Sequence, residues 1–287
     1  MPTILIELLV APALVAISTL VARRWGSRVG GVVSAFPAIV GPVLLILALS
    51  HGTHFAARAA NGTLLGLVSL AAFALAYGRA ALGRGWPLSA AAGWLAAALA
   101  APLVALAAGA AGSPVGLVVA GASLGLAARG LPALARAEPA PIEAEPARRG
   151  MTALRMGSTA ALVALLSAAA GALGAVAGGV LAALPVLACV LAVFTHREQG
   201  GAPAAIALLR GMLVGMGGFV LFCQVIAVGA VPYGIAPAFG AATAVALAAQ
   251  AIVVYPPAAV HSLLRRHSSP ASVRVAEAAG AWGRQST

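Results

Sequence analysis

The chain has 287 residues, 62% of them hydrophobic and 8% charged, with mean hydropathy +1.04, which leaves too few polar groups to cover a water-soluble domain. Its formal charge of +11 comes from 17 arginines and no lysine, against six acidic residues that are all glutamate. The arginines gather at the ends of apolar runs rather than on one polar face, which argues against a nucleic-acid binder and for an integral membrane protein whose basic residues meet anionic headgroups.

Nine membrane spans are predicted, at approximately 3–22, 29–49, 60–78, 87–108, 114–130, 153–171, 175–195, 205–228 and 234–255. At ~1.5 Å per residue, most of them reach across a ~30 Å hydrocarbon core. The first carries Glu7 and lacks a basic leader, so it reads as a retained helix rather than a cleaved signal. The fifth is short, and the turn "GSP" at 112–114 bears on where it starts. After it, "RAEPAPIEAEPARR" (136–149) reads as a hydrophilic linker. From Pro256 the chain is too polar to span and reads as a solvent-exposed tail. Four parts follow: a first four-helix unit (1–112), a linking helix with its linker (113–150), a second four-helix unit (151–255) and the tail (256–287).

The arginines orient this all-α polytopic arrangement. Alternate connections hold Arg23, Arg24 and Arg28; Arg79 and Arg84; Arg129, Arg136, Arg148, Arg149 and Arg155; Arg197 and Arg210; and, in the tail, Arg265, Arg266, Arg274 and Arg284. Arg58 alone falls on the other side. A bias of this kind assigns the arginine-rich side to the cytoplasm, with the N-terminus outside and the C-terminus inside. A bacterial cytoplasmic (inner) membrane suits helical spans with such loops.

A shift of 148 positions places Gly30 and Gly31 on Gly178 and Gly179, Pro37 on Pro185, and Gly52 on Gly200. One further position aligns "GTLLG" (62–66) with "GMLVG" (211–215) and Phe73 with Phe222. Spans one to four then correspond to spans six to nine. Because five spans precede the second unit, it enters the membrane from the opposite face, giving an inverted repeat of the kind secondary transporters use. Pro37 and Pro185 each remove an amide donor and crowd a carbonyl, so spans two and seven should bend or hinge there. The glycines let neighbouring helices approach closely where lipid supplies no hydrophobic drive. With Gly30, Gly31 and Pro37, Gly178, Gly179 and Pro185, and the paired glycines of spans three and eight, the organisation over 3–255 resembles the drug/metabolite transporter superfamily. That resemblance implies inverted units with a central path between them. The common ten-helix member would have both ends cytoplasmic, whereas the arginines here give nine spans.

Polar residues are scarce enough to weigh one by one. Glu7 is the one acid expected within a span; a carboxylate in hydrocarbon has to pair, protonate or face a cavity, so it is a proton-coupling candidate, with an interfacial position as the plainer reading. In the connection "SHGTHFAARAANG" (50–62), His51, His54, Arg58 and Asn61 suit an anion-attracting mouth. The matching "HREQG" (196–200), followed by Arg210, suits a second mouth, and headgroup contacts explain the same residues. Gln224 and Gln250 are the best deeply placed polar groups, Trp94 is a cavity-lining candidate, and Tyr77 and Trp86 read as interfacial anchors. Cys189 and Cys223 have no CxxC spacing and read as small buried apolar residues.

These features favour a secondary transporter moving a small organic solute, with anions favoured by the arginine-bearing mouths, by alternating access between inverted repeats. A nonenzymatic membrane scaffold or assembly factor is the alternative, and a lipid-modifying enzyme ranks third. No nucleophile elbow, metalloprotease helix or phosphate loop is present. No cofactor or metal is expected, since His51 and His54 have no cysteine or carboxylate beside them in sequence. The expected partners are membrane lipids, anionic headgroups included, and a small-molecule solute. A homodimer is an open alternative.

Overall fold

A computed structural model describes residues 20–21, 24, 26–35, 40–108, 112–133, 185–198 and 201–254. Eight helices occur among them: α1 (Ser27–Ser34), α2 (Val40–His51), α3 (Thr53–Ala80), α4 (Trp86–Ala108), α5 (Ser113–Gly130), α6 (Val186–Glu198), α7 (Gly201–Tyr233) and α8 (Ile235–Val254). Five of them, α3, α4, α5, α7 and α8, are long and apolar enough to cross a bilayer. The chain is therefore a polytopic all-α membrane protein. Helices are the open-ended solution for an apolar chain in lipid, because each satisfies its own backbone groups. Contacts divide the chain into residues 1–250 and residues 251–287; of the latter, the described part is the last turn of α8.

Two helices form the centre of the first of these units. In their apolar stretches α3 is 72% buried and α7 56%, against 22% for α4 and for α5. Around α3 lie α2, α4, α5 and α7, while α1, α3, α5 and α6 surround α7. The central helices are rich in small residues: Ala56, Ala59, Ala60, Gly62, Thr63 and Gly66 are buried on α3, and Gly211, Gly215 and Gly218 on α7. The outer α4 instead presents Leu95, Leu99, Leu103 and Leu106, all exposed. Leucine lies on both sides, with Leu64, Leu67, Leu208 and Leu209 buried on the central helices, and it is the small residues that let the helix backbones approach where packing, not water, brings helices together.

Contacts along the bundle give the helix directions. Gly116 abuts Asn61 and Leu64 while Gly130 abuts Leu75, so α5 runs parallel to α3. Gly78, near the end of α3, faces Ile206, near the start of α7, so these two run antiparallel. Gly31 packs on Leu208 and Met212, and Ala35 on Gly215, which makes α1 parallel to α7. Trp94 meets Cys189 and Trp86 meets Arg197, so α4 and α6 are antiparallel. These directions agree with the alternation that the arginines imply.

Three expectations change. Span two, predicted as one bent helix over 29–49, is two helices, and α1 stops three residues short of Pro37. Pro37 itself lies outside the described residues, but a proline three positions on withholds the donor that would continue the ladder. The region 50–62, predicted as a polar connection, is almost wholly helical: only Gly52 separates α2 from α3. Its φ of +84° turns the chain where side-chain-bearing residues are strained. Span eight likewise starts earlier than the predicted 205, at Gly201, whose φ is +70°. The first "mouth" is thus a tight helix corner, because an alanine-rich flank extends α3 into it.

Candidate functional site

The described part of the repeated motif lies at a junction of α1, α7 and α8. Gly31 and Gly215 let α1 and α7 meet backbone to backbone. A Cβ on Gly31 would overlap the Leu208 carbonyl oxygen and lie 2.8 Å from the Met212 nitrogen. One on Gly215 would lie 2.8 Å from the Val32 carbonyl oxygen and 2.9 Å from Ala35 Cβ. Gly218 does the same for α8, beside the Ala246 carbonyl and Gln250.

At this junction α1 ends, and its last carbonyls need new donors. Ser34 Oγ donates to the Gly31 carbonyl at 2.7 Å. The Val32 carbonyl accepts from Ala35 N at 3.2 Å and from Gln250 Nε2 on α8. Gln250 therefore holds the cut end of α1 from another helix. Gly215 is the fifteenth of the 33 residues of α7, so the junction lies near that helix's middle. In a helix of roughly 50 Å this is far from either end. Gly30 is buried on α1, and Pro185, also buried, forms a bend just before α6. Gly178 and Gly179 lie outside the described residues, as does Glu7.

A second group links α3, α4 and α6. Trp94 Nε1 donates to Cys189 Sγ at 3.3 Å, and its ring meets Phe73 edge-on at 6.1 Å. Phe73 lies against Tyr77 at 5.8 Å. Tyr77, expected as an interfacial anchor, is fully buried, with its hydroxyl 3.2 Å from His196 Nδ1. The guanidinium of Arg197 sits 5.2 Å over the ring of Trp86, a cation–π contact. Sequence reasoning missed Tyr77 and Cys189 as partners. Their contacts span 119 and 95 positions, and no local pattern marks them.

The remaining candidates separate. Arg210 is the tenth residue of α7, and its Nη2 donates to the carbonyls of Leu131 at 2.9 Å and Pro132 at 3.0 Å. It thus meets the chain where α5 ends, a place where a cation also complements the helix dipole. Asn61 is half-buried on α3 with Oδ1 against Gly116. Gln224 lies further along α7, its Oε1 buried with no hydrogen-bond donor among the described residues. His51, His54 and Arg58 are exposed around the Gly52 corner, and His51 stacks on Phe55 at 4.6 Å. The structure therefore joins Gly31 with Gln250, and Trp94 with Cys189. It does not join Arg210 with Arg58, which lie toward opposite ends of α3.

Comparison with protein-family models, with curated proteins and with solved structures finds no match for this chain.

Proposed function

We propose that the protein is a secondary carrier moving a small organic solute by alternating access between two inverted units, 1–112 and 151–255, joined by the helix and linker of 113–150. The observation that carries this reading is the interrupted second span. Its cut end at Val32 meets glycines of α7 and is held by Gln250 from α8. A broken helix with a carbonyl near the middle of a bundle is how carriers build a polar point inside hydrocarbon. Such backbone is tolerated only where protein or a cavity covers it.

The duplication draws support from element positions. α3 and α7 start 148 positions apart, at Thr53 and Gly201, and α4 and α8 start 149 apart, at Trp86 and Ile235. Phe73 meets Trp94 edge-on, and the aligned Phe222 meets Phe239 edge-on. The equivalent helices α3 and α7 run in opposite directions, as inversion requires. We read the whole as nine spans with the N-terminus outside and the C-terminus cytoplasmic in a bacterial inner membrane, an organisation similar to that of the drug/metabolite transporter superfamily. Arg58 is the exposed cation left to attract an anionic solute on its side, since Arg210 is engaged by α5.

Purified protein in lipid vesicles, tested for uptake and counterflow with a panel of organic anions and neutral solutes, decides the matter. At least one solute should move faster than in protein-free vesicles. Gln250→Leu should slow that flux about tenfold, the factor carried by ~1.4 kcal/mol, while the protein still elutes as a folded species. No flux from folded protein defeats the carrier reading, and recovery of a stoichiometric membrane partner would then favour the scaffold.

A further inference from the structure

The Tyr77–His196 contact is chemically unlike its surroundings. Tyr77 is fully buried on α3 and His196 half-buried at the end of α6, yet they form a side-chain hydrogen bond 119 residues apart in sequence. It joins the first proposed unit to the second. The same face of α6 carries two more links to the first unit, Cys189 to Trp94 and Arg197 to Trp86. The aligned positions of the other unit, Ile226 for Tyr77, Gly41 for Cys189 and Ile235 for Trp86, have no such chemistry. Among the described residues the links therefore belong to α6 and have no counterpart at these aligned positions.

A tyrosine hydroxyl can donate to Nδ1 only while the imidazole is neutral and carries its hydrogen on Nε2. A proton arriving from water at Nδ1 turns that acceptor into a donor. The hydroxyl must then rotate to accept, leaving its own hydrogen without a partner in a buried site, at a cost of the order of a lost buried hydrogen bond. We propose that Tyr77 donates to His196 Nδ1, the imidazole carrying its hydrogen on Nε2, and that the pair forms a proton-operated clasp between α3 and α6, engaged when His196 is neutral and released when Nδ1 binds a proton. The proposal rests on the reading of two units that move against each other, and it names the proton as the ion that biases the movement.

Among the described side chains none supplies His196 with a counter-ion that would reverse the sign, and Glu198, the acid on α6 itself, stands at i+2, a spacing at which helix side chains do not face each other. On α6 itself, Arg197 is drawn over Trp86. On α7, Arg210 is bonded to the carbonyls after α5. Arg79 of α3 lies beside Gly130 of α5, and Arg84 is exposed in the turn leading to α4. All four are cations, so a proton on His196 adds like charge. The clasp is present at high pH and is lost as pH falls through the titration of the clasped His196.

Cys189 is a built-in reporter: it lies two turns before His196 on the same helix, half-buried, whereas Cys223 is fully buried in α7. Full-length protein in nanodiscs is treated with N-ethylmaleimide at about pH 8 and about pH 5.5, on either side of the ordinary histidine range. Cys189 and Cys223 are quantified separately by peptide mass. Tyr77→Phe keeps the ring packing and removes the hydroxyl. Comparing it with wild type at each pH cancels the change in thiolate. At high pH the variant's Cys189 should react about fivefold to tenfold faster than wild type, the worth of one buried hydrogen bond. At low pH the two rates should converge. His196→Phe removes the acceptor instead of the donor, gives the same comparison independently and serves alone if Tyr77→Phe fails to fold. A ratio unchanged between the two pH values overturns the clasp. Convergence without any solute flux in vesicles would keep the clasp and defeat the carrier reading.

Discussion

At the residue scale, the chain's few polar groups divide by what they hold. Arg210 is the clearest case. Read along the chain it is a cation at a membrane mouth, but in space it is bonded to two carbonyls beyond α5. Arg210→Gln should lower stability by about 1.5–3 kcal/mol, the usual worth of hydrogen bonds to a charged group. Thermal unfolding in micelles checks this, with a fall of several degrees expected. An unchanged melting temperature together with lost uptake of an anionic solute would return Arg210 to a substrate role. Tyr77 shows why such reversals happen. An aromatic near the end of a span is an interfacial anchor when it faces lipid, and a packing and hydrogen-bonding residue when it faces protein. Composition cannot say which.

At the element scale, the helices α3 to α5, α7 and α8 follow the apolar runs to within a few residues, except that α3 and α7 lengthen into the expected loops. That lengthening concentrates the turn between α2 and α3 on Gly52, at φ +84°. Gly52→Ala should destabilise by about 1–3 kcal/mol, because at φ +84° and ψ 173° the backbone lies in a region that is essentially glycine's alone. Gly83, in the turn between α3 and α4 with open space around it, is the control, and Gly83→Ala should be near neutral. Equal melting temperatures for the two variants would show that the corner does not depend on Gly52. Pro42 illustrates tolerance: it is the third residue of α2, inside the first turn where a missing N–H breaks no helix bond.

At the scale of the whole molecule, helix directions constrain the topology. α1 runs parallel to α7 and opposite to α3, so the start of α1 lies toward the end of the bundle where α3 and α5 finish. Labels placed just after Arg24 and just before Met151 should therefore report the same compartment. Opposite compartments would remove the inverted arrangement and, with it, the main support for a carrier. α5 finishes near Arg210 and α6 finishes near Tyr77, so these two helices run the same way. The sixth predicted span, 153–171, lies outside the described residues, and one crossing there is what the nine-span topology needs.

The amino-acid sequence alone determined that this is a helical membrane protein, roughly where its long spans lie, and that its arginines gather at the ends of apolar runs. Each of these depends on apolar length and charge placement, quantities that the bilayer reads from one segment at a time. Only the tertiary structure decided which faces meet. Leu64 and Leu67 are buried while Leu95 and Leu99 are exposed, though all four are the same residue in similar runs. Lipid is as apolar as leucine, so transfer from one to the other leaves no periodic mark in a sequence. Gln250 at Val32, Tyr77 at His196 and Arg210 at Leu131 became legible only once the helices had packed.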